Sequence, residues 1–453
     1  MSRLIVVVSV VFLAATGVAF TGEKDKAVED PWAQKIVIVG SQQAVRKMRP
    51  TYNLGGVTEP AGPELAAMQK GSYVLHAKDG KLTKVPAEKV LLPHDPNGHP
   101  QAIDIALAPD GTIYVNQFTR MCKSTDAGRT WSCYESSFSG GPNSSFEILS
   151  DGTFVAAKAG GKKNPSQVNV FKSLDEGRTW EKIAEIENPA ELLIRHADTL
   201  CKLEDDTLLL PIESRLSHSV APTYVHRSTD GGKTWGGPKG RTSWAGLLGG
   251  VCCESMIAPM PSGRLLAVIR YHGGVVPPWP VIALKSSFAA TSSRIGWASG
   301  TQHPWYKTLF LADSEDRGKT WNNLRPLTNV VGQCHGFALG LRNGSVIVTH
   351  DHRYPPGTPS GKAMVSYDEG RTWGDEVYYL YFGGFNTGFS QSVELKDGTI
   401  LTVASMNDHL PGCPLFGKSG RCGSVAQTGE TNFHCSLWGK ADYWVIRWRL
   451  EKK

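Results

Sequence analysis

Short apolar runs separated by turn residues recur along the chain and predict an all-β protein. Six of these runs follow a two-residue turn of the Asp-Gly type, and a turn of this kind between apolar runs is typical of a β-hairpin. The six turns begin at Asp110, Asp151, Asp205, Ser262, Asn343 and Asp397. Each turn therefore predicts one hairpin with an apolar strand on either side.

An eight-residue repeat follows the first five hairpins and is called the box repeat below. It reads Ser-x-Asp-x-Gly-(Arg/Lys)-Thr-Trp, and its copies are Ser124–Trp131, Ser173–Trp180, Ser228–Trp235, Ser314–Trp321 and Ser366–Trp373. The Asp accepts hydrogen bonds from turn N–H groups, the Gly supplies a positive φ, and the Trp offers a large packing face. A hairpin plus a box turn makes four strands, so six units predict a six-bladed β-propeller of four-stranded antiparallel blades.

The sixth unit has no box repeat and ends in the strand-like run Asp442–Leu450. We expect an early strand to complete this last blade and close the ring, and Lys35–Val39 also has a strand-like pattern. Two strand passes separate each first turn from its box, so both should lie on one face of the disc. Insertions at 271–308 and 406–440 interrupt connections on the opposite face, which is therefore the predicted binding face.

Composition limits the partner classes. The 453 residues include 48 basic and 42 acidic side chains, a net charge of +6 with no Lys/Arg run. This pattern argues against a nucleic-acid-binding protein and leaves an anionic small ligand open. The whole chain is 40% hydrophobic, enough for a large core.

The N-terminus has the pattern of a signal peptide. Arg3 precedes an apolar stretch, and small residues lead to Ala19. We expect a signal peptide at 1–19, a linker at 20–34, and the propeller at 35–453. The mature protein should be secreted or periplasmic without a membrane anchor, so that its nine cysteines are free to form disulfides. Cys122 and Cys133 flank a box turn and are placed to pair across it.

Counting eight positions either way from each first turn predicts cross-strand neighbours at the central opening. The pairs are Ala102/Phe118, Asn143/Ala159, Ala197/Glu213, Glu254/Arg270, His335/Asp351 and Phe389/Ser405. Several are polar, which fits either a binding site or a solvated rim. Glu254 with Arg270 also fits a simple cross-strand ion pair.

The box repeat resembles the Asp-box, or BNR repeat, of sialidases, whose propellers have six blades. The resemblance covers residues 97 to 450 and implies the fold more strongly than the function, because the box also occurs in other glycosidases and in non-enzymatic propellers. Glu254 and Arg270 match the Glu and Arg that sialidases carry in this hairpin. By resemblance, Glu254 would assist the nucleophile and Arg270 would grip a sugar carboxylate through paired hydrogen bonds.

Three positions depart from the sialidase pattern. Gln101 stands where that family has an Arg, no Asp occurs within 112–123, and Phe389 replaces the nucleophilic Tyr. Phe389 has no hydroxyl and cannot act as a nucleophile. Arg353 is a candidate for the remaining sialidase Arg. These departures from the sialidase pattern imply either an altered reaction mechanism or no catalytic activity.

Other carboxylates are available for catalysis. Glu213 and Asp351 are candidates to pair with Glu254 as acid and base, the two roles that a glycosidase requires. The candidate substrate-binding residues are Arg270, Arg353, His335, Asn143, Gln101 and Phe389. His335, His350 and His352 show no tight metal-ligand spacing, so we expect neither a metal nor a cofactor.

Two functions remain open. The first is an exported, sialidase-like exo-glycoside hydrolase that acts on an acidic sugar, such as sialic acid, at a glycan terminus. The second is a non-catalytic propeller that binds glycan or protein through the same face. A deep pocket holding two carboxylates favours the enzyme, and a plugged centre favours binding.

Overall fold

The structure is a computed structural model of the chain. It describes residues 58, 60–93, 104–138, 140, 144–160, 166–187, 193–215, 223–236, 241–244, 251–273, 306–327, 333–352, 360–382, 390–406 and 442–451. These residues form six antiparallel sheets arranged as a six-bladed β-propeller, which confirms the predicted fold.

Four elements precede the first blade. They are α1 (Gly62–Lys70), β1 (Tyr73–Lys78), β2 (Lys81–Pro86) and β3 (Glu88–Leu91). Leu65 and Met68 of α1 are fully buried. Blades 1 to 5 then follow in chain order, and each runs from an inner to an outer strand.

Blade 1 contains β4 (Asp104–Leu107), β5 (Ile113–Asn116), β6 (Arg120–Ser124) and β7 (Ser132–Glu135). Blade 2 contains β8 (Ser144–Ile148), β9 (Phe154–Ala159), β10 (Gln167–Ser173) and β11 (Glu181–Glu187). Blade 3 contains β12 (Leu193–Ala197), β13 (Cys201–Lys202), β14 (Leu208–Arg215), β15 (Thr223–Ser228) and β16 (Arg241–Trp244).

Blade 4 contains β17 (Val251–Pro259), β18 (Leu265–Gly273), β19 (Tyr306–Ser314) and β20 (Asn322–Pro326). Blade 5 contains β21 (Gln333–Gly340), β22 (Val346–His352), β23 (Ser360–Ser366) and β24 (Val377–Phe382). Blade 6 contains β25 (Ser390–Glu394), β26 (Ile400–Met406) and β27 (Asp442–Trp448). Five of the six predicted first turns lie between the first and second strands of their blades. In blade 3 the inner strand is divided into β12 and β13, and the turn at Asp205 lies between β13 and β14.

An early strand closes the ring, as predicted. β3 pairs with β27 as the fourth strand of blade 6, in a register that runs from Trp444 opposite Leu91 to Arg447 opposite Glu88. The run Lys35–Val39 lies outside the described residues. Because β3 precedes blade 1 in the chain, this pairing joins the two ends of the propeller.

The sequence pattern did not predict the β1–β2 hairpin. β1 pairs with β24, so the sheet of blade 5 has six strands. His76 of β1 lies between two carboxylates, with Nε2 3.1 Å from Oε1 of Glu376 and Nδ1 3.0 Å from Oε2 of Glu451. The hairpin therefore ties blade 5 to the C-terminal segment.

The first turns and the box repeats share one face, which we call the turn face. Ser262 of the first turn in blade 4 donates its backbone N–H to Glu369 Oε1 in the box of blade 5, at 2.9 Å. Arg317 in the box of blade 4 likewise pairs with Asp205 in the first turn of blade 3, at 2.5 Å. Each box thus packs against the preceding blade. The opposite face is called the site face.

Each box turn is held by its own side chains. Asp126 Oδ1 accepts the Thr130 N–H at 2.9 Å, Ser124 Oγ accepts the Gly128 N–H at 2.9 Å, and Trp131 Nε1 donates to the Gly128 carbonyl at 3.0 Å. The Gly of every box has a φ between 80° and 87°, where an L-residue would be strained. The expected Cys122–Cys133 disulfide spans the first box.

Candidate active site

Matching β-bulges in two inner strands form one side of the site. In β17, Cys253 pairs with Arg270 and Met256 pairs with Val268, so that two residues oppose one. β21 has the same irregularity between Cys334 and Phe337. The bulged residues Glu254 and His335 have φ values of 46° and 50°. This left-handed conformation is uncommon outside glycine and is often found at functional sites.

The bulges correct the predicted cross-strand pairs. Arg270 is opposite Cys253 rather than Glu254, and Asp351 is opposite Cys334 rather than His335. In blade 3, Glu213 is likewise opposite His196 and not Ala197. Counting from the turns was wrong by one residue because each bulge adds a residue to the inner strand only.

Glu254 nevertheless meets Arg270, in an ion pair between Oε2 and Nη1. The same carboxylate oxygen lies 2.7 Å from Nε2 of His335, and Arg270 Nη1 lies 3.3 Å from that nitrogen. On the other side of the imidazole ring, Nδ1 is 3.6 Å from Oδ1 of Asp351. The side chain of Glu254 is only 9% exposed, so water screens these contacts weakly. The structure therefore brings four predicted residues together.

Two more carboxyl groups approach from blade 3. Glu213 of β14 is fully buried. Asp198 donates its backbone N–H to Pro211 O at 2.9 Å, and its Oδ2 accepts the Ser255 N–H at 2.8 Å. Asp198 therefore lies between the strand that carries Glu213 and the bulge that carries Glu254.

Burial and, next, the charge of Glu213 raise the pKa of Asp198 well above its usual value. Glu254 also raises this pKa, whereas the Ser255 N–H and Arg270 lower it. Asp198 was not among the predicted site residues, because it lies one position beyond the counted rim residue, Ala197. The sequence feature that could have indicated it is an acidic residue directly after the predicted inner strand of blade 3.

The two sides of the site thus differ electrostatically. Glu254 contacts Arg270 and His335, so its anionic form is stabilised. Glu213 and Asp198 are both buried, and the charge of Glu213 raises the pKa of Asp198, so their joint ionisation is disfavoured. Carboxyl groups whose surroundings favour opposite protonation states are the arrangement that acid–base catalysis needs.

The inner strands also hold the ring rigid around the site. Gln391 of blade 6 donates from Nε2 to Asp104 Oδ1 of blade 1 at 2.7 Å, and Leu200 of blade 3 donates its N–H to Ser145 Oγ of blade 2 at 2.8 Å. A cavity of about 190 Å³ is lined by inner-strand residues of several blades, and Glu147 and Lys202 are part of its wall. These cross-blade bonds fix the positions of the strands that carry the carboxylates.

Several predicted site residues lie outside the described residues. They are Gln101, Asn143, Arg353 and Phe389. Residues 274–305 and 407–441, which make up most of the two insertions, and the N-terminal residues 1–57 are also outside. Their assigned roles remain predictions. The strands that border both insertions end at the site face, opposite the turn face.

His350 does not join the site cluster through its ring. It is fully buried, its Nδ1 lies 3.2 Å from the Asp351 carbonyl oxygen, and burial lowers its pKa to about 4. Within the described ranges, no three His, Cys, Asp or Glu side chains are grouped as metal ligands. In the same part of the chain, no helix has the length and apolar character required to cross a membrane.

Comparison with known proteins gives one sequence relative and several similar folds. No protein-family model matches the chain. A sialidase from Bacteroides fragilis is 24% identical over 196 residues, which are 39% of this chain and 32% of that protein. Over this stretch the chain is similar to a sialidase. Its match to this sialidase spans about a third of the relative's length.

Several solved structures share the propeller fold of this chain. A protein of unknown function from Dyadobacter fermentans is 15% identical, with a TM-score of 0.54 over 80% of this chain and 98% of that chain. The GH93 α-L-arabinofuranosidase of Fusarium graminearum, solved with arabinobiose, is 13% identical, with a TM-score of 0.51 over 79% and 97% of the two chains. At these identities the similarity is one of fold.

Proposed function

We propose that this chain is an exported glycoside hydrolase that removes a terminal sugar, with Glu213 and Glu254 as its reacting carboxyl groups. The observation that carries the proposal is the contrast between these two residues. Glu254 is paired with Arg270 and His335, whereas Glu213 is fully buried and its charge raises the pKa of the buried Asp198. One carboxylate ready to act as a base or nucleophile and one carboxylic acid are what glycoside hydrolysis requires.

The proposed roles follow from the contacts. Glu213, in its protonated form, donates a proton to the glycosidic oxygen as the bond to the anomeric carbon breaks. Glu254 supports the positive charge that develops on the sugar, either by attacking the anomeric carbon or by deprotonating a water molecule. His335 and Arg270 orient Glu254, and Asp351 lies against the far side of the His335 ring.

The proposed substrate is a glycan that ends in an acidic sugar, such as sialic acid. The sequence match to a sialidase and the buried guanidinium of Arg270 support this choice. A guanidinium in a site of low exposure binds a carboxylate strongly. Arg353 is the candidate second cation. The Asp-box resemblance and the signal-peptide pattern of residues 1–19 support a secreted or periplasmic glycosidase.

A non-catalytic, carbohydrate-binding propeller is the second candidate. Glu254 forms an ion pair with Arg270 and contacts His335, as it also would in a purely structural cluster. Phe389, at the position of the sialidase Tyr, favours the same alternative.

A panel of terminal glycosides, both acidic and neutral, tests the proposal against the purified protein. We expect release of a sugar, with turnover reduced about 1,000-fold or more by Glu254→Gln and by Glu213→Gln. Glu204→Gln is the matched control, because Glu204 is exposed on the turn face of blade 3. Glycan binding without release, or release that survives both site substitutions, would contradict the proposal.

A further inference from the structure

Asp198 is connected by a hydrogen bond to the bulge that carries Glu254. Its Oδ2 accepts the backbone N–H of Ser255 at 2.8 Å. That nitrogen belongs to the peptide bond between Glu254 and Ser255, so the carboxyl group of Asp198 contacts the backbone that directly follows Glu254. Asp198 is 7% exposed and Ser255 is 1% exposed, so water competes little for this bond. The proposed reaction assigns no role to Asp198.

Asp198 is itself held in place by blade 3. Its backbone N–H donates to the Pro211 carbonyl oxygen at 2.9 Å, and Pro211 lies within β14. The acceptor oxygen therefore belongs to a residue whose own backbone is hydrogen-bonded to a strand. A continuous series of hydrogen bonds and covalent bonds runs from β14 through Asp198 and Ser255 to Glu254.

We infer that Asp198 is a positioning residue for Glu254: by holding the Glu254–Ser255 peptide bond, it keeps the Glu254 carboxylate aimed at the reacting sugar. The effect on turnover rests on the proposed function, whereas the held peptide bond is a property of the resting protein. Asp198 contacts neither the leaving oxygen nor the anomeric carbon, so it acts only through Glu254.

The backbone conformation of Glu254 requires support of this kind. Its φ of 46° is left-handed, which is disfavoured for a residue with a Cβ and persists only where surrounding contacts determine it. The equivalent bulge in blade 5 is fixed by close packing, because a Cβ at Gly336, the residue after His335, would lie 2.5 Å from Cγ1 of Val268. Ser255 has a side chain at the corresponding position in blade 4, and its backbone is fixed by the bond to Asp198.

Neighbouring blades are joined elsewhere by bonds of the same form, in which a side chain accepts a backbone N–H from the inner strand of the next blade. Ser145 Oγ of blade 2 accepts the Leu200 N–H of blade 3 at 2.8 Å, and Gln391 Oε1 of blade 6 accepts the Ile105 N–H of blade 1 at 3.3 Å. Asp198 makes the corresponding bond from blade 3 to blade 4. Its donor alone among these three is adjacent to a proposed reacting residue, so this bond both joins two blades and orients Glu254.

Two substitutions of Asp198 separate positioning from catalysis and from stability. Asp198→Asn keeps an oxygen that can accept the Ser255 N–H, whereas Asp198→Leu keeps similar bulk without an acceptor. We expect Asp198→Leu to lower kcat about 10- to 100-fold with little change in KM, because a small misplacement of a reacting group is costly. Asp198→Asn should retain most of the wild-type kcat.

Two kinetic results would overturn the inference. If Asp198 itself gave or took a proton, Asp198→Asn would be as poor as Asp198→Leu, because an amide does neither. If Asp198 contributed only to stability, folded Asp198→Leu would keep the wild-type kcat. Asp198→Ala replaces Asp198→Leu if the larger side chain prevents folding.

Hydrogen exchange of the folded protein tests the held peptide bond without turnover. Asp198→Leu should speed amide exchange in β17, and Asp198→Asn should restore its protection, because an N–H that has lost its acceptor opens more readily. β21, which carries the other bulge, is the internal control for a general loss of stability. Asp151→Ala is the control variant, because Asp151 Oδ1 also accepts a backbone N–H, from Thr153 at 2.8 Å, but in the exposed first turn of blade 2.

The two measurements distinguish failure of this inference from failure of the proposed function. A protein that cleaves no glycoside, but in which Asp198→Leu speeds exchange in β17 and not in β21, keeps the inference about the peptide bond and rejects the proposed function. An active protein in which Asp198→Leu matches wild type in both kcat and β17 exchange keeps the proposed function and overturns the inference.

Discussion

Glu254 and His335 occupy equivalent bulge positions in neighbouring blades, and Oε2 of Glu254 lies 2.7 Å from Nε2 of His335. Both residues have a left-handed φ, so the same local distortion turns both side chains towards the boundary between blades 4 and 5. The contact couples an anion to an imidazole that touches Asp351 on its other side. Blade geometry, rather than sequence proximity, therefore creates the anionic half of the site.

Replacing the imidazole tests this coupling. We expect His335→Gln to lower kcat about 10- to 100-fold with a smaller change in KM, because Glu254 loses an orienting partner without losing its carboxylate. The acidic limb of the activity–pH profile should move to higher pH, since Glu254 then loses a contact that favours its anionic form. Steady-state kinetics across pH provide the measurement. A profile that matches wild type would show that His335 only fills space.

Removing the guanidinium tests both stability and ligand charge. Arg270→Ala should lower the free energy of unfolding by about 3–5 kcal/mol, because it leaves the buried Glu254 without its cation. In the folded fraction, binding of an acidic sugar should weaken far more than binding of its neutral analogue. Arg342→Ala, at an exposed turn-face arginine, is the control. Equal weakening of both sugars would exclude Arg270 as the carboxylate ligand.

The box tryptophans should stabilise the fold without touching ligand. Trp180 is half-buried, packs near Phe138 and Phe154, and donates from Nε1 to the Gly177 carbonyl at 2.9 Å. We expect Trp180→Ala to cost about 2–4 kcal/mol in urea unfolding. Glycan affinity of the folded variant should be unchanged, because this box lies on the turn face. A stable variant that has lost affinity would mean that the two faces are assigned the wrong way round.

Acid should weaken the box turns. Hydrogen bonds from the Thr130 hydroxyl and backbone N–H lower the pKa of Asp126 to about 2, below its unfolded value of about 3.9. A carboxylate whose pKa is lower in the folded state stabilises the protein above the unfolded pKa, and this contribution is lost as pH falls towards 2. Asp126→Asn should therefore show a shallower loss of urea stability between pH 4 and pH 2. Parallel pH curves for both proteins would contradict the assignment.

Local signals explain why the blades could be predicted from the sequence. Turn residues such as Asp110 and box residues such as Asp126 act on atoms a few positions away, so each unit shows in the sequence. The bulge at Glu254 has no such signal, because it depends on the packing of β17 against its neighbours. Asp198 was missed for the same reason, since its partner Ser255 is 57 residues away and in another blade. The β1–β2 hairpin, an addition to blade 5, has no equivalent in the repeat.

Azide rescue of Glu254→Ala tests the central claim most directly. With an activated aryl glycoside, whose leaving group needs little protonation, the variant should be almost inactive, and added azide should restore turnover with formation of a glycosyl azide. Azide replaces the missing carboxylate at the anomeric carbon, so rescue would place Glu254 at the reacting atoms. Glu213→Ala should keep much of its activity on the same substrate, because the acid is no longer limiting. A Glu254→Ala protein that hydrolyses the glycoside as fast as wild type would contradict the account.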